Sequence, residues 1–194
     1  MSKIGGLFGA GAGDAAVNPA GSPATAPLLV TAELPRDVFA WAEGLRRAHF
    51  PPERNKVRAH VTLFHALPPS CEAELRRLVA RIAGEEAPPR ARITGLMPLG
   101  NGTAFAIHST ALSAIHDTLC EALYGVLTAQ DRAKRKLHVT IQNKVTAAEA
   151  KALQGELATS FAPRDFAFAG LALHRYLGGI WADAGTWRFR GRRA

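Results

Sequence analysis

Cysteine is nearly absent: the chain of 194 residues holds two, Cys71 and Cys120. Both fall in helix-like patterns and are read as reduced, partly buried thiols, so no disulfide framework is expected. No eighteen apolar residues run uninterrupted, which excludes a hydrophobic spanning helix. No dense apolar stretch follows Met1-Ser2-Lys3, so no secretory leader is expected and a cytoplasmic location is. Neither half alternates strand and helix around a glycine-rich phosphate loop, which argues against a doubly wound nucleotide-binding fold. A carboxylate cluster of the kind a two-metal phosphoesterase uses is also missing. Acidic residues are outnumbered, 16 against 24 Lys and Arg, giving a net charge of +8 and a pI near 10.2. That balance favours polyanionic partners.

What is present reads as one compact α+β unit behind a Gly/Ala/Pro-rich arm. Residues 1–26 are rich in Gly, Ala and Pro and cannot bury enough apolar surface to offset chain entropy, so a flexible arm is expected there. From 27 to 194 a single bilobal domain is expected. Leu28–Ala32 reads as a buried strand and Pro35–Ala48 as a helix with Val38, Phe39, Trp41, Ala42 and Leu45 on its apolar face. Val57–Phe64 is a second strand, and Ser70 is placed to cap the helix that ends at Gly84. Ala91–Leu99 and Thr103–Ile107 pair across Gly100-Asn101-Gly102. Residues 111–128 then form a helix, Leu137–Gln142 a strand, and Thr146 with Glu149 a capping box for the next helix. Two last strands run over 165–176 and 180–190. Each half thus supplies a strand, a helix and a terminal hairpin. The expected architecture is two pseudo-equivalent antiparallel sheets with outer helices and a cleft between them.

One internal echo carries chemistry. Arg58-Ala59-His60-Val61-Thr62-Leu63 matches Lys136-Leu137-His138-Val139-Thr140-Ile141. Strand alternation puts Arg58, His60 and Thr62 on one face, and Lys136, His138, Thr140 and Gln142 on one face of the other strand. If the two faces meet, they bring together two imidazoles, two hydroxyls and two cations. Two histidines of ordinary pKa can hold opposite protonation states near neutrality, one taking a proton and the other giving one. The hydroxyls of Thr62 and Thr140 can donate to phosphate oxygens, and Arg58 or Lys136 can stabilise developing negative charge.

The H-x-T pattern occurs four times, at His60, His108, His116 and His138. His116 falls in a helical period. His108 falls at a strand-to-helix junction, where Ser109 or Thr110 suits a helix cap. Only His60 and His138 have strand context and matched flanks.

Those two motifs make the chain resemble the 2H phosphoesterase superfamily, in particular its 2′-5′ RNA ligase-like and RNA 2′,3′-cyclic phosphodiesterase branch. The resemblance spans about residues 27–190, including Leu173-His174-Arg175-Tyr176 and the hairpin from Trp181 to Phe189. It implies a bilobal fold with both histidines in the cleft and no metal or other cofactor. It also implies hydrolysis, or reversible transfer, at 2′,3′-cyclic phosphate ends, with the 2′-phosphate as product. The partners are then RNA ends or small nucleotides, with no membrane and no obligate protein partner. Which histidine is base stays open, as does a non-catalytic RNA-binding module with the same fold.

Other residues carry two readings. Phe64 shares the polar face with His60 and suits either base stacking or core packing. Tyr176 reaches a phosphate or base, or is structural. The basic segments 54–58 and 132–136 either funnel a phosphate backbone or are solvated loops, and Arg188, Arg190, Arg192 and Arg193 read as solvent-facing. His65 is expected to point away from His60, while His49 and His174 read as surface or satisfied core residues. Trp41, Trp181 and Trp187 read as core or lobe-closing aromatics.

Overall fold

A computed structural model describes residues 23–133 and 135–192. The arm expected over 1–26 lies outside the described residues as far as residue 22, and so do Lys134 and Arg193 of the basic segments. In order, the chain forms β1 (Leu28–Glu33), α1 (Arg36–His49), β2 (Val61–Leu67), α2 (Glu72–Glu85), β3 (Arg90–Pro98), β4 (Gly102–His108) and α3 (Thr110–Ala122). It continues with α4 (Ala129–Arg132), β5 (His138–Asn143), α5 (Ala147–Ser160), β6 (Arg164–Ala167), β7 (Gly170–Tyr176) and β8 (Trp181–Arg188). The strands make two antiparallel four-stranded sheets, ordered β2-β1-β7-β8 and β5-β4-β3-β6. The fold is α+β. No described helix is long and apolar enough to cross a membrane.

Local chemistry explains most element ends. The Ser109 hydroxyl accepts from the Leu112 amide and starts α3, while Thr146 and Glu149 close a full capping box on α5. Ser70 does not cap α2: residues Pro69–Cys71 form a 3-10 turn, and Cys71 takes the cap position without a side-chain bond. The helix expected over 111–128 stops at Ala122, followed by a 3-10 turn over Tyr124–Val126 and then α4.

The sheets do not follow the two halves of the chain. The β3–β4 hairpin belongs with β5, and the single strand expected over 165–176 is two strands in different sheets. The crossing falls at Phe168, fully buried, and Ala169, whose amide bonds to the Glu33 carbonyl at 2.8 Å. Gly170 then lets β7 close on β8, since a Cβ there would sit 2.3 Å from the Trp187 carbonyl oxygen.

Strands β2 and β5, which carry the two motifs, are edge strands of their sheets, and they meet. An edge strand exposes unpaired amides and carbonyls. Here buried charges supply the missing partners. Asp131, in α4 and fully buried, accepts the His65 amide at 2.9 Å and the Ala66 amide at 3.2 Å from β2. Arg135 and the Thr128 hydroxyl donate to the same carboxylate at 3.1 and 3.2 Å. Across the junction, Arg46 of α1 donates to the Thr140 carbonyl of β5 at 2.8 Å.

Burial by itself would raise the Asp131 carboxyl, but the side chain and amide of His65 and the amide of Ala66 outweigh it and hold it down to about 2. A carboxylate lowered in the folded state stabilises above its unfolded pKa, and that stabilisation is lost as pH falls toward the folded one. The gap from the ordinary 3.8 corresponds to about 2.5 kcal/mol. Urea unfolding of the wild type and Asp131→Asn should therefore differ by at least about that amount at pH 7. The difference should shrink as pH falls from about 4 toward 2. A difference that ignores pH would remove Asp131 as the junction's anionic anchor.

Candidate functional site

His60 and His138 are held by the same device. The His60 Nδ1 lies 2.6 Å from the Arg58 carbonyl oxygen, and the His138 Nδ1 lies 2.8 Å from the Lys136 carbonyl oxygen. A carbonyl only accepts, so Nδ1 carries the proton in each ring and the neutral imidazole presents a bare Nε2. The regular strands begin later than the alternation suggests, at Val61 and His138. Arg58 and Lys136 thus sit in the loops ahead of them, both exposed, and act on the histidines through backbone carbonyls. The Arg58 guanidinium lies over the Phe39 ring, 4.5 Å from its centroid.

The loop before His60 is fastened to α1. Glu43 accepts the Ala59 amide at 2.7 Å, and Arg46 donates to the Val57 carbonyl and the Asn55 side chain, both at 2.7 Å. Arg46 also reaches Thr140 on the second motif strand, so one guanidinium ties both motifs to one helix. Burial depresses the Arg46 pKa, and Glu43 opposes that shift. Neither residue was singled out from sequence, yet a signal existed. Val38, Ala42 and Arg46 are the buried stripe of α1, and a cation on an apolar stripe needs partners.

Past the motif threonines each strand bulges at the matching place. Thr31 pairs with Thr62 and Val30 with Phe64, skipping Leu63; Ala104 pairs with Thr140 and Thr103 with Gln142, skipping Ile141. An extra residue reverses the alternation beyond it. This corrects three readings. Phe64 is not on the histidine face: it is fully buried and stacks on His116, centroids 4.9 Å apart. Gln142 is turned inward too, 7% exposed, with Oε1 lacking a hydrogen-bond partner. His65 joins the face of Thr62 rather than leaving it. Its Nδ1 lies 3.1 Å from Arg135 and 3.4 Å from Asp131, and its charge acts on His138. By the same parity Asn143 joins the face of Thr140. The sequence did contain a hint, because Leu63-Phe64 places two apolar residues side by side.

The first sheet adds further groups to that face. Thr31 pairs with Ala172 across β7, which sets His174 and Tyr176 on the Thr31–Thr62 side. His174 is therefore not a plain surface residue: Thr31 Oγ1 lies 3.0 Å from its Nε2, and Asp183 lies 3.1 Å from its Nδ1. Trp181 lies between two imidazoles, centroids 4.5 Å from His60 and 5.4 Å from His174. Tyr176 sits at the outer end of the face, 41% exposed. Glu33, on the same face, has its carboxyl raised by burial, opposed first by His174.

Elsewhere, His116 and Cys120 meet on α3, with Sγ 3.6 Å from Nε2. Among the described residues no group of three or more His, Cys, Asp or Glu side chains is placed to hold a metal ion. Two hollows of about 500 Å³ each lie between α2 and β8 and around residues 86–92 and 108–111; neither is lined by His60 or His138. The paired histidines thus lie outside both hollows.

A family model described as the 2′-5′ RNA ligase superfamily matches residues 34–180. Among solved structures, the protein TT0787 of Thermus thermophilus is similar at 19% identity and TM-score 0.62, over 86% of this chain and 100% of that one. E. coli LigT complexed with NADP+ is similar at 16% identity and TM-score 0.54, over 85% of this chain and 98% of that one. The same E. coli protein complexed with 3′-AMP gives 16% identity and TM-score 0.51, over 85% and 98%. At these identities the likeness is one of fold. No curated protein matches the chain.

Burial pushes the His60 imidazole down to about 4; the bond to the Arg58 carbonyl opposes this, and the charges of Arg46, His174 and His138 add to it. Burial lowers His138 as well, against its bond to Lys136 and with the charges of His65 and Arg135 adding to the fall. His60 is thus neutral at pH 7. Its ring resonances should titrate with a midpoint near 4. Trp181→Ala, by admitting water to the ring, should move that midpoint up toward 6.5, and Trp181→Phe should restore most of the difference. An unmoved midpoint would mean that Trp181 does not desolvate His60.

Proposed function

Because the chain belongs to the 2′-5′ RNA ligase superfamily, we propose that it hydrolyses 2′,3′-cyclic phosphate ends of RNA by metal-independent acid–base chemistry at His60 and His138. The matched pair of Nδ1 bonds to Arg58 and Lys136 carries this reading, since it prepares two bare Nε2 atoms on adjoining strands. One Nε2 takes a proton from water as its oxygen bonds to phosphorus. The bond from phosphorus to the 3′ oxygen breaks, and the other imidazole, protonated, gives that oxygen its proton. The 2′-phosphate remains.

The hydroxyls of Thr62 and Thr140 donate to the non-bridging oxygens, which gain charge in the transition state. Arg58 and Lys136 supply positive charge at the mouth of each motif. His65 and Asn143, brought onto this face by the bulges, stand where alternation had put Phe64 and Gln142 and are the polar groups that contact substrate there. The same groups, acting in the same sense, serve as a 2′-5′ ligase when a 5′-hydroxyl replaces water, and run backward they cleave that 2′-5′ bond and re-form the cyclic phosphate. A small nucleotide is the second substrate reading. It is favoured by the E. coli protein of like fold, which was crystallised with NADP+ and with 3′-AMP.

A 2′,3′-cyclic-phosphate oligonucleotide should turn over in EDTA. Its kcat/KM should follow a bell whose two limbs both lie below the ordinary imidazole value, because burial lowers both histidines. His60→Ala and His138→Ala should each lower the rate by about two to four orders of magnitude. Intact activity in both variants would refute the mechanism. Tight RNA binding with no turnover of any such substrate would favour a binding module instead.

A further inference from the structure

The face that carries His60 continues onto a hairpin with an unusual surface. Tyr176 pairs with Trp181 across β7 and β8, and paired residues share a face. Trp181 in turn touches the His60 ring. Tyr176 therefore stands next to the aromatic wall of the histidine site. The tip beyond it leaves apolar side chains in water: Leu177 is 39% exposed and Ile180 56%. The turn is nevertheless built. The Leu177 amide bonds to the Ile180 carbonyl at 2.8 Å, and Gly178 and Gly179 adopt φ of 72° and 99°, where a side chain is disfavoured.

A phosphate would find little to hold it here. Residues 176–181 contain no Lys or Arg, and Arg175 is turned to Glu72 of α2. On β8, the charged group next to Trp181 on this face is a carboxylate. Asp183 uses Oδ1 toward His174, its side chain is 92% exposed, and Oδ2 is left to accept an N–H. Flat aromatic surface beside a free acceptor fits a nucleobase with an exocyclic amine.

We propose that Tyr176 and Trp181 form a stacking subsite for the nucleobase of the nucleotide whose phosphate lies between His60 and His138. The subsite rests on the nucleotide substrate proposed above but does not require hydrolysis. It gives the site a direction: base on the β7–β8 hairpin, and the phosphate where β2 meets β5.

Calorimetric titration of the full chain with adenosine 2′-monophosphate and with inorganic phosphate tests this. The wild type should bind the nucleotide more tightly than phosphate. Tyr176→Ala should weaken the nucleotide at least about fivefold and leave phosphate unchanged. Tyr176→Phe, which keeps the ring, should bind as the wild type does. The idea fails if Tyr176→Ala leaves nucleotide affinity unchanged, weakens both ligands equally, or if the wild type shows no preference for the nucleotide. Nucleotide binding with the expected Tyr176 effect, but no turnover of cyclic phosphate, would sink the reaction and leave the subsite standing.

Discussion

Two sheet edges meet in this molecule, and much of the site depends on how their loose backbone groups are satisfied. Edge strands tend to recruit other strands. Here β2 and β5 face each other without forming one sheet, and two buried charges fill the gaps. Arg46 takes carbonyls on both sides, and Asp131 takes two adjacent amides on β2. Isolated buried charges are costly, but each of these has several partners. Those partners flank the histidines: Val57 precedes His60, His65 and Ala66 follow it, and Thr140 follows His138. The contacts that join the sheets are therefore the contacts that aim the imidazoles.

Burial also sets the chemistry available at the junction. Both rings are half-buried, and both keep Nδ1 occupied by a carbonyl two residues back. Burial alone would merely weaken a base. Burial with a fixed tautomer leaves Nε2 as the one ring nitrogen free for proton exchange. On the β2 side the Trp181 ring packs against His60, whereas His138 is influenced by His65 and Arg135. The two motifs are alike in sequence and differ in what surrounds them.

The repeated His-Val-Thr pattern was legible because local rules govern it: strand context, matched flanks, and competing helix or cap roles for His116 and His108. The α+β class, the capping box of α5 and the Ser109 cap were legible for the same reason. Long-range placement was not. The strand expected over 165–176 crosses between sheets at Phe168, which no local propensity marks. Alternation misplaced Phe64, Gln142 and His65 because a single inserted residue reverses every side chain after it. The pairing of β7 with β1 brings His174 to the site, and the Asp131 carboxylate reaches a strand more than sixty residues away; no local rule marks either.

The matching bulges after Thr62 and Thr140 extend the likeness of the two strands beyond their motifs. An atom midway between two such strands is viewed from either side by the same sequence of groups: imidazole, hydroxyl, bulge. An arrangement of this kind draws no distinction between an oxygen that arrives and one that departs. Only the surroundings, Trp181 against one imidazole and His65 with Arg135 near the other, tell the two sides apart.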